Sequence, residues 1–302
     1  MSASEGSPAW RRRIRLRRIG LFISALLLGG AVVVLWRERE VIEHAIDAMR
    51  RPAPGPLAML LLAMLGNIVL AGATFSLLLA KQGQPRRVGI LEMQALMAAT
   101  SLVNFLPLRP GALGRVAYHK TVNGIPVAES VRAIVIAAVL SAASACYLAA
   151  VAAICIRFNL SIWPAIALPV IVLAFAPAFG PLRFIALAGL CRYGEVMLWA
   201  VRYHAAFAII GTPISPEAAV GFACISTAAT MVPLFSNGLG LREWAVGLVA
   251  PLLAGVPLEL GLTAELVNRA LEMAVMFTFG VAALVYLSRR RGRLPAPNDA
   301  AA

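Results

Sequence analysis

The sequence P-L-F-S-N-G-L-G-L-R-E, residues Pro233–Glu243, interrupts an apolar run that begins near Ala218 and resumes at Trp244. A proline, an asparagine and two glycines inside a hydrophobic segment of membrane length disfavour a continuous helix. Within lipid, backbone that has lost its helical hydrogen bonds is tolerated only where protein or a water-filled cavity surrounds it. The break therefore predicts an interior position and a candidate binding site.

A second break, Pro107–Arg115, reads P-L-R-P-G-A-L-G-R and has the same skeleton. In both breaks a Pro-Leu pair is followed by a Leu-Gly pair at the same spacing. Because proline and glycine interrupt helices, the shared skeleton predicts two similar interruptions. We interpret the two breaks as the mirrored halves of one site that handles a lipid or another solute.

The composition is that of a membrane protein. The chain has 302 residues, of which 61% are hydrophobic and 14% are charged, and its mean hydropathy is +0.84. Several uncharged runs reach the roughly 20 residues that cross a bilayer as a helix. The sequence predicts an all-α, polytopic integral membrane bundle, with one transmembrane domain at 19–288 between basic tails at 1–18 and 289–302.

The net charge of +13 is also typical of proteins that bind nucleic acids. Its distribution favours another explanation, because arginines cluster at 11–18 and 289–293, directly beside hydrophobic runs. Such flanks set a cytoplasmic orientation and attract anionic lipid headgroups. We therefore predict a multi-pass protein with both termini cytoplasmic and no nucleic-acid partner.

No catalytic or metal-binding pattern is present in the sequence. The four cysteines and three histidines are scattered without paired spacing, which excludes a disulfide framework and a zinc motif. The sequence contains no G-x-x-x-x-G-K-[ST], G-x-S-x-G or H-E-x-x-H, and its aspartates are confined to Asp47 and Asp299. We predict a protein that is not an enzyme and that carries no cofactor and no metal.

The order of the apolar runs predicts the topology. The runs give six full crossings at 19–36, 57–80, 133–156, 158–182, 184–211 and 258–288, and two re-entrant broken-helix hairpins near 88–122 and 218–257. The first run lacks a cleavage site and is interpreted as an uncleaved span. Three crossings separate the hairpins, so the hairpins enter from opposite faces. This arrangement is the inverted-topology repeat common in secondary transporters.

A sequence echo supports the repeat. Gly124-Ile125-Pro126 follows the first break, and Gly255-Val256-Pro257 follows the second. Each is followed by a glutamate, at 129 and 259, which is typical of the first turn of a new helix. The pair Arg132-Ala133 then corresponds to Arg269-Ala270.

The second break offers an anion site. A helix predicted to begin near Leu241 presents backbone N–H groups that suit a lipid phosphate, and Arg242 adds bidentate geometry. Glu243 is placed to orient Arg242 or to interact with the helix dipole. The candidate headgroup-binding residues here are Asn237, Gly238, Gly240, Arg242 and Glu243. The alternative is an ordinary surface loop with a solvated Arg242.

The first break contributes Arg109 and Arg115 as further headgroup candidates, with Gly111 and Gly114 allowing close backbone approach. The alternative is ordinary positive charge in a cytoplasmic loop.

Intramembrane ion pairs are predicted in two of the spans. Glu265, Arg269 and Glu272 recur at i, i+4 and i+7, on one helix face, where charges within a membrane usually face the bundle interior. This pattern predicts an ion-pair ladder, with Arg269 also a headgroup candidate; partial solvation is the alternative. Arg192 and Glu195 either pair with each other or with the arginines of the first break, or they form a cytoplasmic helix end.

The two breaks, N-F-L-P-L-R-P-G-A-L-G-R (Asn104–Arg115) and Pro233–Glu243, followed by Gly255-Val256-Pro257 and Asn268-Arg269, resemble the lysylphosphatidylglycerol synthase transmembrane-region family, a flippase-like membrane domain. The resemblance spans roughly Leu57–Arg290. It places Pro233, Gly238, Gly240, Arg242, Glu243 and Arg269 in the family signature. The chain departs from that signature at Ser236-Asn237, where Pro-Gly is usual.

The resemblance implies a stand-alone member without the aminoacyl-transferase domain, located in the bacterial inner (plasma) membrane. Our leading hypothesis is a translocator of an anionic phospholipid or glycolipid. The alternative is an accessory membrane subunit that presents a lipid to a lipid-modifying enzyme or to a hopanoid or glycolipid export system. A membrane enzyme acting on a lipid-linked substrate is a third hypothesis, which the missing acid and metal groups disfavour.

Overall fold

The computed structural model describes residues 53–80, 88–106, 110–175, 180, 182–232 and 236–291, together with positions 22, 26, 29, 30, 33, 36, 43, 47 and 50. Throughout these residues the regular structure is helical, and they contain no β-strand. The all-α prediction is confirmed for this part of the chain. The predicted basic tails, apart from 289–291, and most of the predicted first span at 19–36 lie outside the described residues.

The helices follow one another with short connections. They are α1 (Pro54–Leu78), α2 (Ile90–Val103), α3 (Pro110–Val122), α4 (Val127–Phe158), α5 (Trp163–Ala174), α6 (Arg183–Ile209), α7 (Pro216–Met231), α8 (Leu241–Ala254) and α9 (Leu258–Arg291). Four of them, α1, α4, α6 and α9, are long and apolar enough to cross a bilayer. Their outer faces carry exposed side chains such as Leu62, Val139 and Phe277, as expected of a surface that contacts lipid. The chain is therefore a membrane protein.

The start of α4 and α9 agrees with the sequence prediction. Gly124 and Gly255 have φ values of 63° and 64°, a left-handed conformation that glycine adopts without a Cβ penalty. Pro126 is the N-cap of α4, and Glu129 lies in its first turn. The first turn of α9 likewise contains Glu259. The Gly-apolar-Pro sequences thus turn the chain into its two longest described helices.

The predicted crossing at 158–182 contains a helix much shorter than the crossing itself. Helix α4 runs through Phe158, and Asn159 ends it in a left-handed conformation with φ 52°. Helix α5 then has only 12 residues, about 18 Å at 1.5 Å per residue, against a hydrocarbon core of about 30 Å. Prolines at 164, 169 and 177 punctuate this stretch, and proline disfavours a long uninterrupted helix.

Contacts between helix ends define two sides of the bundle. On the side that we call the Glu92 side, Arg290 near the end of α9 pairs with Glu92 in the first turn of α2 at 2.9 Å. Tyr118 near the end of α3 donates to the same carboxylate at 3.0 Å. The last turn of α1 and the first turns of α4 and α6 surround one depression, lined by Leu78, Glu129 and Phe184 among others.

The opposite side contains the other helix ends. Leu60 and Met64 near the start of α1 pack against Ile209 at the end of α6, and α7 begins a few residues later. Gly221 in α7 lies against Leu253 near the end of α8. Since α4 ends on this side and α6 begins on the Glu92 side, the chain crosses the bundle once between these two helices.

The helices pack in a specific set of pairs. Helix α1 lies along α6 at the centre, α2 packs on α9, and α7 packs on α4. Helix α8 packs against α7 and α9, and α3 packs against α2 and α4. The largest core cluster is built around Phe207 and Phe222, whose rings stack at 5.1 Å. Alanines at 206, 218, 219 and 223 surround them and let the helices approach closely.

Candidate functional site

The second break is a true interruption of the helix. Helix α7 ends at Met231, a short 3₁₀ turn occupies Ser236–Gly238, and α8 begins at Leu241. Asn237, Gly238 and Gly240 have φ values of 48°, 74° and 81°. Three left-handed residues within four positions reverse the chain, which explains the glycines of this break. The predicted break is confirmed here; positions 233–235 lie outside the described residues.

Arg242, in the first turn of α8, is fully buried. Its guanidinium contacts Glu265 at 2.5 Å and Glu272 at 3.0 Å, both from α9. The alternative of a solvated surface arginine is therefore excluded. Glu265 and Glu272 of α9 thus both reach across to the same arginine of α8.

Helix α6 completes this cluster. Arg202 contacts Glu272 at 3.0 Å and donates from Nε to the Asn268 side-chain oxygen at 3.0 Å. The guanidinium carbons of Arg202 and Arg242 lie 4.0 and 4.5 Å from the ring centroid of Trp199, in cation–π range. In addition, the Tyr203 hydroxyl donates to Glu265 at 2.5 Å. Each cation of this group is thus held by carboxylates and by a ring.

Glu243 lies in the first turn of α8, where the sequence predicted an interaction with the helix dipole as one of two roles, and its carboxylate faces Arg269. Its Oε1 lies 4.0 Å from the Arg269 Nε. Arg269 donates to the Asn237 backbone oxygen at 2.9 Å, and its guanidinium carbon lies 5.1 Å from the centroid of the Phe105 ring. Phe105 belongs to the first break and Asn237 to the second, so Arg269 joins the two breaks.

We call the six buried ionic groups of this region the arginine–glutamate network. Its members are Arg202, Arg242, Arg269, Glu243, Glu265 and Glu272. Three cations and three carboxylates give a formal net charge of zero. A balanced, hydrogen-bonded set is the form in which charges are tolerated inside a protein.

At the first break the following helix begins earlier than the sequence predicted, at Pro110 within the break itself. Helix α2 ends at Val103, and α3 begins at Pro110. Gly111, Gly114 and Arg115 therefore lie within a helix and not in an irregular loop. Proline is favoured in the first turn of a helix, which explains this boundary. Arg109, a predicted headgroup residue, lies outside the described residues.

The two glycines of α3 have different environments. A Cβ on Gly111 would collide with the Thr100 backbone oxygen of α2, and the Gly111 N–H donates to the Asn104 side-chain oxygen at 3.0 Å. Gly111 thus allows the close approach that was predicted. At Gly114 a Cβ would meet no atom of the described chain within 4 Å, so no helix packs closely there and its predicted role towards a headgroup stays a prediction.

Arg115 is buried, and its interactions are incomplete. Its guanidinium carbon lies 3.9 Å from the centroid of the Phe75 ring, and within the described chain its Nε and Nη1 atoms have no hydrogen-bond acceptor. Arg192 lies 5.4 Å from the same ring and pairs with Glu195 at 2.7 Å. Burial, and then the charge of Arg115, lowers the pKa of His119 to about 4, so this histidine is neutral near pH 7.

Two adjoining cavities, which we call the first and the second lobe, lie between the breaks. The first lobe, of about 320 Å³, is lined by Arg115 and Asn104 from the first break region and by Thr227 and Thr230 from α7. The second lobe, of about 190 Å³, is lined by Phe105 and Asn237 among others. Both lobes share five lining residues, namely Met97, Asn104, Arg192, Glu195 and Trp199. The two breaks therefore meet on these two polar lobes inside a bundle of apolar helices.

The charge of the two lobes is uneven. Among the described residues that line the first lobe, the ionic groups are Arg115, Arg192 and Glu195, with a formal sum of +1. The network beside the second lobe sums to zero. The excess positive charge thus belongs to Arg115, while the charge of Arg242 is balanced by its own carboxylates.

Some functional residues were missed at the level of sequence. Trp199, Phe75 and Tyr203 organise the cations, yet an aromatic residue in an apolar run carries no distinguishing signal. Arg202 did carry one, because an arginine in the middle of a membrane-length helix requires a partner. Glu92 is a further residue of this kind, and its carboxylate contacts Tyr118 and Arg290.

Comparison of the chain with protein-family models, with curated proteins and with solved structures finds no match. The resemblance of the two breaks to the lysylphosphatidylglycerol synthase transmembrane region therefore stays a prediction. Within the described residues, no group of three or more histidine, cysteine, aspartate or glutamate side chains is placed to hold a metal ion.

Proposed function

We propose that this chain is a non-enzymatic translocator of lipids with an anionic phosphate-bearing headgroup, working in a bacterial inner membrane. The observation that carries the proposal is Arg115, a cation that is only 6% exposed, lines a cavity between apolar helices and has two guanidinium nitrogens without an acceptor in the described chain. An uncompensated buried cation is costly, and an anionic ligand removes that cost.

The phosphate would bind Arg115 in the first lobe. Arginine presents a planar fork that matches two phosphate oxygens. Asn104, Thr227 and Thr230 line the same lobe and add polar groups for the rest of a headgroup. The acyl chains would remain in the surrounding lipid, which the exposed apolar side chains of the outer helices face.

We further propose that helices α1–α4 and α6–α9 are inverted-topology repeats. In this repeat α1 corresponds to α6, α2 to α7, α3 to α8 and α4 to α9. The packed pair α2–α9 then corresponds to α7–α4, and the packed pair α1–α2 corresponds to α6–α7. Both of these pairs also pack together. The pair α1–α6 is unchanged by this correspondence, because each helix takes the place of the other. Helix α1 ends and α6 begins on the Glu92 side, so the equivalent helices run in opposite directions.

The two broken-helix segments would be re-entrant hairpins. The start of α2 and the end of α3 meet at Glu92, while the start of α7 and the end of α8 meet on the opposite side. Their tips would meet in the bundle interior, at the two lobes. The arginines after residue 288 favour a cytoplasmic location for the Glu92 side. Rocking of the repeats would open each lobe in turn to one face of the membrane.

The test is lipid redistribution in reconstituted vesicles. Purified protein is inserted into vesicles that contain a trace of phosphatidylglycerol with a fluorophore on one acyl chain. Dithionite quenches the fluorophores in the outer leaflet and so reports the fraction of the lipid there. We expect movement between leaflets that Arg115→Gln slows roughly ten-fold, because one charge-assisted hydrogen bond contributes about 1.5–3 kcal/mol. The matched control is Arg157→Gln, at an exposed arginine near the end of α4.

Two outcomes would contradict the proposal. The first is wild-type protein that is folded and inserted yet leaves phosphatidylglycerol in its original leaflet. The second is equal rates for wild type and Arg115→Gln. The accessory-subunit alternative predicts the first of these together with co-purification of a lipid-modifying enzyme.

A further inference from the structure

Glu243 is a buried carboxylate to which no side chain of the described residues donates a hydrogen bond. Its closest ionic contact is the Arg269 Nε at 4.0 Å. Glu272, by contrast, accepts from both Arg202 and Arg242 at 3.0 Å. Glu243 is therefore the weakly held carboxylate of the arginine–glutamate network.

The surroundings of Glu243 oppose its ionisation and are only partly offset. Removal from water disfavours the carboxylate form, and Glu265 on α9 adds a like charge. The opposing groups are Arg269 on α9 and Arg242 on α8 itself. Arg242 is already paired with Glu265 and Glu272. On α7, which also packs against α8, Glu217 lies in the first turn, at the far end from the break.

A proton on Glu243 changes the charge beside the second lobe. With Glu243 ionised, the network sums to zero. With Glu243 protonated, three arginines face two carboxylates, and the sum becomes +1. Arg269 contacts Asn237 and Phe105, and both of these residues line the second lobe. The added positive charge therefore lies directly behind the wall of that lobe.

We propose that Glu243 is a proton-binding site whose occupancy is coupled to an anion in the second lobe, so that a phosphate-bearing headgroup and a proton bind together. The identity of the anion rests on the proposed function. By linkage, a proton that strengthens anion binding is itself taken up when the anion binds. Such coupling would let a proton gradient drive the headgroup from one lobe to the other.

The experiment uses the full chain in nanodiscs of zwitterionic lipid, with dihexanoyl-phosphatidylglycerol as the probe. Its phosphodiester keeps one negative charge between pH 5.5 and 7.5, so only the protein titrates. Calorimetry in buffers of different ionisation enthalpy gives both affinity and protons taken up. We expect wild type to bind about ten-fold more tightly at pH 5.5 than at pH 7.5, with proton uptake at the higher pH.

Glu243→Gln removes the titrating group and mimics its protonated form. It should bind at pH 7.5 with the affinity that wild type reaches at pH 5.5, without proton uptake. Glu217→Gln, in the first turn of α7, should keep the wild-type pH dependence. If Glu243→Gln does not fold, the infrared carbonyl band of a protonated carboxyl group makes the same test by its rise when the probe binds at pH 7.5. It is recorded in a Glu195→Gln background, because Glu195 also lines the second lobe.

The outcomes separate this inference from the proposed function. Binding with the same affinity at both pH values, or proton uptake that persists in Glu243→Gln, overturns the inference and leaves the translocator proposal standing. In the infrared test, a band that does not change on binding overturns it as well. Wild type that binds no probe at either pH overturns both.

Discussion

The two breaks place an arginine on an aromatic ring in the same way, but they treat its charge differently. Arg115 in the first half lies 3.9 Å from the Phe75 ring centroid, and Arg242 in the second half lies 4.5 Å from that of Trp199. Arg242 is closed in by Glu265 and Glu272. Arg115 faces a cavity, and its Nε and Nη1 atoms have no acceptor in the described chain.

The helix that follows each break explains this difference. Counted from Pro257, the residues at positions 8, 11, 12 and 15 of the second half are Glu265, Asn268, Arg269 and Glu272. Counted in the same way from Pro126, those of the first half are Ile134, Ala137, Ala138 and Ser141, so this count pairs Arg269 with Ala138 and replaces the pairing with Arg132 that the sequence suggested. All four of the latter line the first lobe. Small and apolar residues in α4 thus leave open the space that the network fills in the second half.

The comparison suggests a division of labour between the halves. The second half uses its ionic groups to lock α6, α8 and α9 together, whereas under the proposed function the first half keeps Arg115 for a ligand. Each prediction below tests one part of this division.

The largest effect is expected from removing the locked arginine. Arg242→Met leaves Glu265 and Glu272 buried without their shared cation, which costs about 3–5 kcal/mol. Arg115→Met removes a cation that contacts no carboxylate of the described residues directly, so the thermal unfolding temperature of this variant should stay close to that of wild type or rise. Differential scanning fluorimetry of the purified variants measures both. Equal destabilisation by the two substitutions would contradict the division.

A smaller effect is expected where α3 crosses α2. Gly111→Ala forces a methyl group against the Thr100 backbone oxygen, and overpacking of this kind costs about 1–3 kcal/mol. Gly114→Ala meets no atom within 4 Å, and alanine favours a helix over glycine by up to about 1 kcal/mol. We therefore expect a lower unfolding temperature for the first variant and an unchanged or higher one for the second. The reverse order would show that the crossing is not tight.

The third prediction concerns a variant in which Arg115 of the first half gains a carboxylate, as Arg242 has in the second half. Ser141 occupies the position that corresponds to Glu272, so Ser141→Glu should supply Arg115 with a carboxylate. Affinity for dihexanoyl-phosphatidylglycerol should fall about ten-fold, which is about 1.4 kcal/mol. The control is Ser141→Gln, because glutamine has nearly the same size as glutamate but carries no charge. A similar loss in both variants would indicate crowding and would argue against charge compensation.

Local chemistry made part of this structure predictable. The break before Leu241 and the helix starts after Gly124-Ile125-Pro126 and Gly255-Val256-Pro257 follow from residues that fix backbone angles by themselves. The same rules, applied further, would have placed the start of α3 at Pro110, because proline suits the first turn of a helix. The short α5 was harder to foresee, since its run is apolar throughout and only its prolines indicate an interruption.

The site was less predictable, because it depends on contacts between distant segments. Spacing showed that Glu265, Arg269 and Glu272 share a face, but it could not show that Arg242 and Arg202 oppose them from α8 and α6. For the same reason the sequence named both Arg115 and Arg242 as headgroup candidates without distinguishing them. Their difference arises from what the neighbouring helix places opposite each of them.

The most direct test of the central claim is the position of a bound phosphate. An electron cryomicroscopy structure of the chain in nanodiscs containing phosphatidylglycerol, with a rigid binding protein to add mass, would resolve the headgroup. Our account predicts phosphate density in the first lobe, with an oxygen about 3 Å from an Arg115 guanidinium nitrogen. An empty first lobe, or a phosphate bound at Arg242 in place of its carboxylates, would contradict it.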